Sequence, residues 1–180
     1  MLPAHWIRNT LLASALCVIC SVSSAATSIV IVYEASDLPD LVVGEDLWQY
    51  AYTVSGSFAQ GFGFEILFDA QKVASLEASP AAPNLDWFVS TVQPLAGVPS
   101  DGIYAVQSLV PGASLVSPFQ VSFVWNGLGP PGAQTFNVLD DTFGLVESGI
   151  TAAIPEPHVY GLMGAGLLML IGRLCTRRTR

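Results

Sequence analysis

Hydrophobic and polar positions alternate with a period of two through the middle of this chain. The stretch "WQYAYTV" puts Trp48, Tyr50, Tyr52 and Val54 on one face, "FGFEILF" does the same with Phe62, Phe64, Ile66 and Phe68, and "FQVSFVW" with Phe119, Val121, Phe123 and Trp125. Each reads as a half-buried strand. Further strands are predicted at Ser28 to Tyr33, Val73 to Leu76, Trp87 to Val92, Ile103 to Leu109, Thr135 to Leu139 and Gly144 to Glu147. They are separated by "SPAAPN", "GVPSDG" and "GLGPPG", whose prolines and glycines break regular structure. No apolar stripe at helical spacing occurs between residues 27 and 154. About eight or nine short strands at this spacing predict an all-β fold, an antiparallel β-sandwich whose two sheets bury their aromatic and aliphatic faces against each other. No repeat or charge run divides the region, so it reads as one domain over residues 27–151.

The alternation stops at both ends. Near the N-terminus Arg8 precedes "TLLASALCVICSVSSAAT", an apolar stretch that closes on small residues. This is the pattern of a secretory signal peptide over residues 1–26, with Ser23 and Ala25, or Ser24 and Ala26, at the small positions that signal peptidase reads. At the other end the stem 152–158 contains Pro155, Glu156 and Pro157, and an apolar run follows. From Val159 through Gly172 it has 14 residues, about 21 Å of helix against roughly 30 Å of hydrocarbon. Adding Arg173, Leu174 and Cys175 brings the segment 159–175 to the lower edge of spanning length, with Arg173 snorkelling to the interface. Arg177, Arg178 and Arg180 in the end segment 176–180 place that end in the cytoplasm and the body outside the inner membrane. The two ends demand the same orientation.

Charge sharpens the division. Five of the six basic residues lie in the terminal segments, and Lys72 alone faces the 13 carboxylates of residues 27–154. A body with that balance repels nucleic acid and anionic headgroups, so nucleic acid is excluded as a partner. Cys17, Cys20, Cys175, His5 and His158 also lie outside it. A disulfide framework, a Cys/His zinc site and a histidine-based triad are therefore excluded from the body.

The Pro-Glu-Pro triplet at 155 to 157, the short glycine-rich apolar run with Gly161, Gly164 and Gly166, and the basic end together resemble the PEP-CTERM sorting signal of Gram-negative bacteria that make exopolysaccharide. The resemblance covers residues 154–180. It implies an exosortase, an integral-membrane cysteine protease, as the partner that acts on the triplet. It also implies an inner-membrane-anchored precursor delivered to the cell surface or extracellular matrix. His158 after the triplet, and Arg173 ahead of the final arginines, depart from the usual form of the signal. In the body, "FGFEILFDAQKVASLEA" resembles the early strands of cohesin and carbohydrate-binding-module jelly rolls, which implies a jelly-roll topology and carries over no binding residue.

Carboxylates are the abundant titrating groups of the body. Glu45 with Asp46 and Asp140 with Asp141 are sequence neighbours, and neighbours on a strand point to opposite faces, so neither is the facing pair a glycosidase needs. No cofactor is expected; calcium is the one such acids could hold in an exported sandwich, with Asp69, or Asp140 and Asp141 with Thr142, as ligands, whereas solvated turn acids are the usual fate of such residues. No D-x-D-x-D-G loop is present. Trp48 and Trp125 are expected in the core. Trp87 and Phe88, adjacent and so on opposite faces, together with Tyr104, are the candidate glycan contacts. The expectation is a non-catalytic surface or matrix protein with a structural or adhesive role linked to exopolysaccharide or biofilm. The alternatives are a carbohydrate- or protein-binding module and a small glycosidase.

Overall fold

The alternating segments become ten strands in the computed structural model, which describes residues 28–154 apart from 96 and 99. In chain order they are β1 (Val30–Asp37), β2 (Leu47–Ser55), β3 (Gly63–Phe68), β4 (Val73–Leu76), β5 (Trp87–Val92), β6 (Gly102–Ser108), β7 (Phe119–Trp125), β8 (Thr135–Leu139), β9 (Leu145–Ile150) and β10 (Ala152–Ala153). One five-stranded sheet runs β10-β1-β2-β7-β4 and the other β5-β6-β3-β8-β9. All neighbours are antiparallel except β1 and β10.

The inward faces are those the alternation marks. Tyr50, Tyr52 and Val54 of β2, Phe64, Ile66 and Phe68 of β3, and Phe119, Val121 and Phe123 of β7 are buried in one core cluster. Phe64 meets Phe119 edge-on at 5.2 Å and Trp87 meets Phe119 at 5.1 Å, so the rings lock the two sheets together. Such edge-to-face pairs add roughly 0.5–1.5 kcal/mol each beyond the area they bury. One end of the core is polar. Tyr50 donates its hydroxyl to the Gly132 carbonyl at 2.6 Å and accepts from Gln134 Nε2 at 2.8 Å, while the Tyr52 hydroxyl donates to Gln134 Oε1 at 3.3 Å. The loop "GPPGAQ" is thereby tied to the tyrosine ends of β2.

Three expectations change. There are ten strands instead of eight or nine, because Ala152–Ala153, read from sequence as the start of the stem, pair in parallel with Val32 and Tyr33. Two alanines carry no periodicity that could announce a strand. β1 runs to Asp37 rather than Tyr33: "EASD" has no apolar alternation, yet its backbone pairs with β2 as far as Trp48. Trp48 and Trp125 lie half-buried at the rim, where their indole N–H groups donate to Asp46 Oδ1 and to the Gly129 carbonyl, each at 2.8 Å.

No helix among the described residues is long and apolar enough to cross a membrane. The segments 1–26 and 159–175, and with them Pro155, Glu156, Pro157, Arg173, Arg177, Arg178 and Arg180, lie outside the described residues.

Candidate functional site

The outer faces of the two sheets differ in chemistry. Outward positions of the β1-β2-β7 face are mostly polar, with Glu34, Ser36, Gln49, Thr53, Gln120 and Ser122, and Val30 is an exposed apolar side chain at its edge. Around the other sheet the outer surface exposes Phe88, Val92, Leu145 and Ile150, with Phe143 on the adjoining turn. Isolated apolar side chains, Val30 included, are ordinary on a protein surface; several on one sheet face are not.

Strand register explains how that face is built. One row crosses the sheet through Phe88, Gln107, Gly63, Leu139 and Leu145, and the next through Ser90, Ala105, Glu65, Asn137 and Ser148. In the first row Gly63 leaves a gap between larger neighbours. A side chain there is barred, since a Cβ would stand 1.9 Å from the Val106 carbonyl oxygen. The result is an open groove of about 280 Å³ with Gly61, Gly63 and Ala105 among its lining and Phe88, Leu139 and Phe143 as its apolar walls. In the second row Asn137 Nδ2 donates to Glu65 Oε1 at 2.8 Å, and Ser148 Oγ donates to Asn137 Oδ1 at 2.7 Å. This polar ladder runs alongside the groove.

Phe143 is held at the rim by the β8–β9 turn, "DDTFG". Asp140 Oδ1 accepts from Thr142 N, Thr142 Oγ1 and Gly144 N at 2.8, 2.7 and 2.8 Å. These bonds, the Thr142 hydroxyl first and then the backbone amides, hold the Asp140 carboxyl below the ordinary carboxylate range. Within the turn Phe143 has φ 62°, the left-handed region, and its ring is 72% exposed. A non-glycine residue there costs on the order of 1–3 kcal/mol, which no burial of this ring offsets. Gly61, at φ 84°, packs against the same turn, where a Cβ would come within 2.8 Å of Asp141 Cβ.

Of the three aromatic residues singled out from sequence, only Phe88 faces solvent, at 54% exposure. Trp87 is 3% exposed; its ring packs on Phe58 and Phe119 and its Nε1 donates to the Ser114 carbonyl at 2.8 Å. Tyr104 is fully buried on the inner face of β6, facing Tyr52 at 6.2 Å. Neither is a surface contact. Phe143 and the Glu65–Asn137–Ser148 ladder went unrecognised in the sequence. Phe143 lies in a turn, where periodicity carries no information, and the Asp-x-Thr turn closed by a glycine was the available signal.

The acids named for calcium are engaged locally. Asp69 Oδ1 accepts from Gln71 N at 2.9 Å and its Oδ2 lies 3.3 Å from Lys72 Nζ; the Gln71 bond is the main cause of its lowered pKa. Asp140 serves the turn. Among the described residues no three His, Cys, Asp or Glu side chains gather as a metal site. The groove itself is lined by two carboxylates, Glu65 and Asp140, and by no basic residue. Its chemistry is that of stacking on phenyl rings and of amide and hydroxyl hydrogen bonds, suited to an uncharged partner. No family model matches this chain, and no match is found among curated proteins or solved structures.

Proposed function

We propose that this chain is an exported protein of the PEP-CTERM type. It is made as an inner-membrane-anchored precursor, acted on by an exosortase-type protease at Pro155-Glu156-Pro157, and delivered to the cell surface or extracellular matrix. Its sandwich is a jelly roll with a non-catalytic, adhesive role linked to exopolysaccharide. The signal-peptide pattern and the ordered triplet, apolar run and arginines support the route. The β2-β7-β4 and β6-β3-β8 neighbours, all non-consecutive in sequence, favour the jelly-roll connection.

The observation that carries the adhesive reading is the groove on the outer face of the β5-β6-β3-β8-β9 sheet, walled by exposed Phe88 and Phe143 beside a polar ladder, opposite a mostly polar face of the other sheet. The test uses the full chain, expressed in a strain that makes its own exopolysaccharide. Fractionation measures how much protein is retained with the matrix, and intact mass reports the tail. Replacing both rim rings, Phe88→Ala with Phe143→Gly, removes roughly 1 kcal/mol or more of stacking and lowers the retained affinity by about tenfold. Phe143→Gly also relieves the left-handed strain, so the variant's thermal midpoint stays at or above that of the native chain. Native-like retention of the double variant would overturn the adhesive role of this face. A tail still attached where the protease is active would overturn the sorting route.

A further inference from the structure

The described residues end just past β10, at Ile154, whose N–H is hydrogen-bonded, and the triplet begins at the next residue in the sequence. Val32 pairs with Ala152 and Tyr33 with Ala153, and the Ile154 N–H donates to the Tyr33 carbonyl at 2.9 Å. One residue upstream, Thr151 is 2% exposed; its N–H donates to the Gln134 carbonyl at 2.8 Å and its Oγ1 accepts from Gln134 N at 2.9 Å. Between that anchor and Pro155 stand three residues, Ala152, Ala153 and Ile154, with exposed side chains. They are attached to a sheet edge chiefly through their backbone. The contrast between a firm Thr151 and a lightly held β10 falls next to the residues on which the sorting route depends.

We propose that β10 is a detachable latch. Residues 152–154 leave the β1 edge, Thr151 holds, and the tail is processed from this unlatched state. The inference rests on the reading of the tail as a processing signal. A protease takes its substrate as an extended strand whose backbone bonds to the enzyme, and backbone groups already bonded to β1 are not free to do so. Edge segments that bury little apolar surface open at far lower cost than central strands. Unlatching frees three residues, about 10 Å of chain, without disturbing the core. Processing then follows the equilibrium population of the unlatched state rather than the global stability of the domain. The sandwich thereby sets the rate at which its own tail is released.

The test follows tail loss from the pulse-labelled full-length precursor in membranes that contain an exosortase-type protease. Ile154→Pro deletes the N–H that bonds Tyr33, and one such bond corresponds to about a fivefold larger unlatched population. Tail loss is therefore expected to be about fivefold faster, whereas Ile154→Ala, which keeps the N–H, stays close to the native rate. In a chain with about eight Gly and Ser residues inserted between Ile154 and Pro155, the triplet is reachable without unlatching. That chain is processed faster than the native one, and adding Ile154→Pro to it brings no further gain. Equal rates for the native chain and Ile154→Pro overturn the latch. Retention of the tail in every chain, the insertion included, overturns the sorting reading instead. Hydrogen exchange gives a readout independent of the protease: the Ile154 amide exchanges orders of magnitude faster than amides of β3 and β6. Protection equal to theirs overturns the latch whatever the tail does.

Discussion

Tyr104 brings a hydroxyl into the core and finds no partner for it. The ring is fully buried and its oxygen makes no hydrogen bond. Burial pushes its pKa up, and Glu77 contributes a smaller repulsive part. A buried polar atom left unpaired forfeits its hydration without return, at about 1–3 kcal/mol. Tyr104→Phe removes the oxygen and keeps the ring against Tyr52. It is expected to stabilise the domain by about 1 kcal/mol, read as a higher urea midpoint with unchanged slope. A lower midpoint would show that the hydroxyl is satisfied. The same residue shows where sequence reading stops. Alternation says that Tyr104 and Val106 share one face and Ala105 and Gln107 the other, but it does not say which face is inside. Trp87 and Phe88 pose the same question, and the answer depends on Phe58, Phe119 and the Ser114 carbonyl, all distant in sequence.

Strands were legible where alternation was long, and their ends were legible where a proline or glycine stood. β4, β5, β7 and β8 fall on the residues that the pattern marks, whereas β1 extends past its apolar residues and β10 has none to mark it. Sheet order was not legible, because it is set by which strands the loops bring together. Turns were the blind spot, and the β8–β9 turn carries the groove's strained ring. Its dependence on the Asp140 carboxylate has a definite sign with pH. The folded-state pKa lies below the ordinary 3.8, so the turn's stabilisation is in full force above that value and is lost as pH falls through the lowered one. Amide exchange at Thr142 and Gly144 is expected to accelerate, relative to the core, as pH drops below about 4. Asp140→Asn keeps an oxygen acceptor but cannot titrate, and the acceleration should vanish in it. If it persists, the turn is held by something other than this carboxylate.

At the scale of the whole molecule, charge and core act in opposite directions as pH changes. The 13 carboxylates and single lysine of residues 27–154 give copies of the body a mutual repulsion that keeps an apolar outer face soluble, within a reach of about 8 Å at physiological salt. The core holds the groups that limit the alkaline side. Burial raises the phenol pKa of Tyr52, Tyr104 and Tyr50 above the ordinary 10.0, more than the Gln134 bond lowers that of Tyr50. A raised folded pKa means stability that is complete below pH 10 and is lost as pH rises toward the folded value. Each fully buried phenol then removes about 1.4 kcal/mol per pH unit. Tyr50, Tyr52 and Tyr104 together remove about 4, since the hydrogen bonds of Tyr50 do not bring its folded pKa back toward the ordinary value. Against a total of about 5–15 kcal/mol, two pH units are enough to bring the sandwich close to unfolding. Phenolate absorbance and circular dichroism recorded together should show these tyrosines ionising in the same cooperative step that melts the sheets. Ionisation complete before any loss of sheet signal would mean that the tyrosine end of the core is open to water. In Tyr104→Phe the alkaline midpoint should move upward, because one of the three titrating groups is gone.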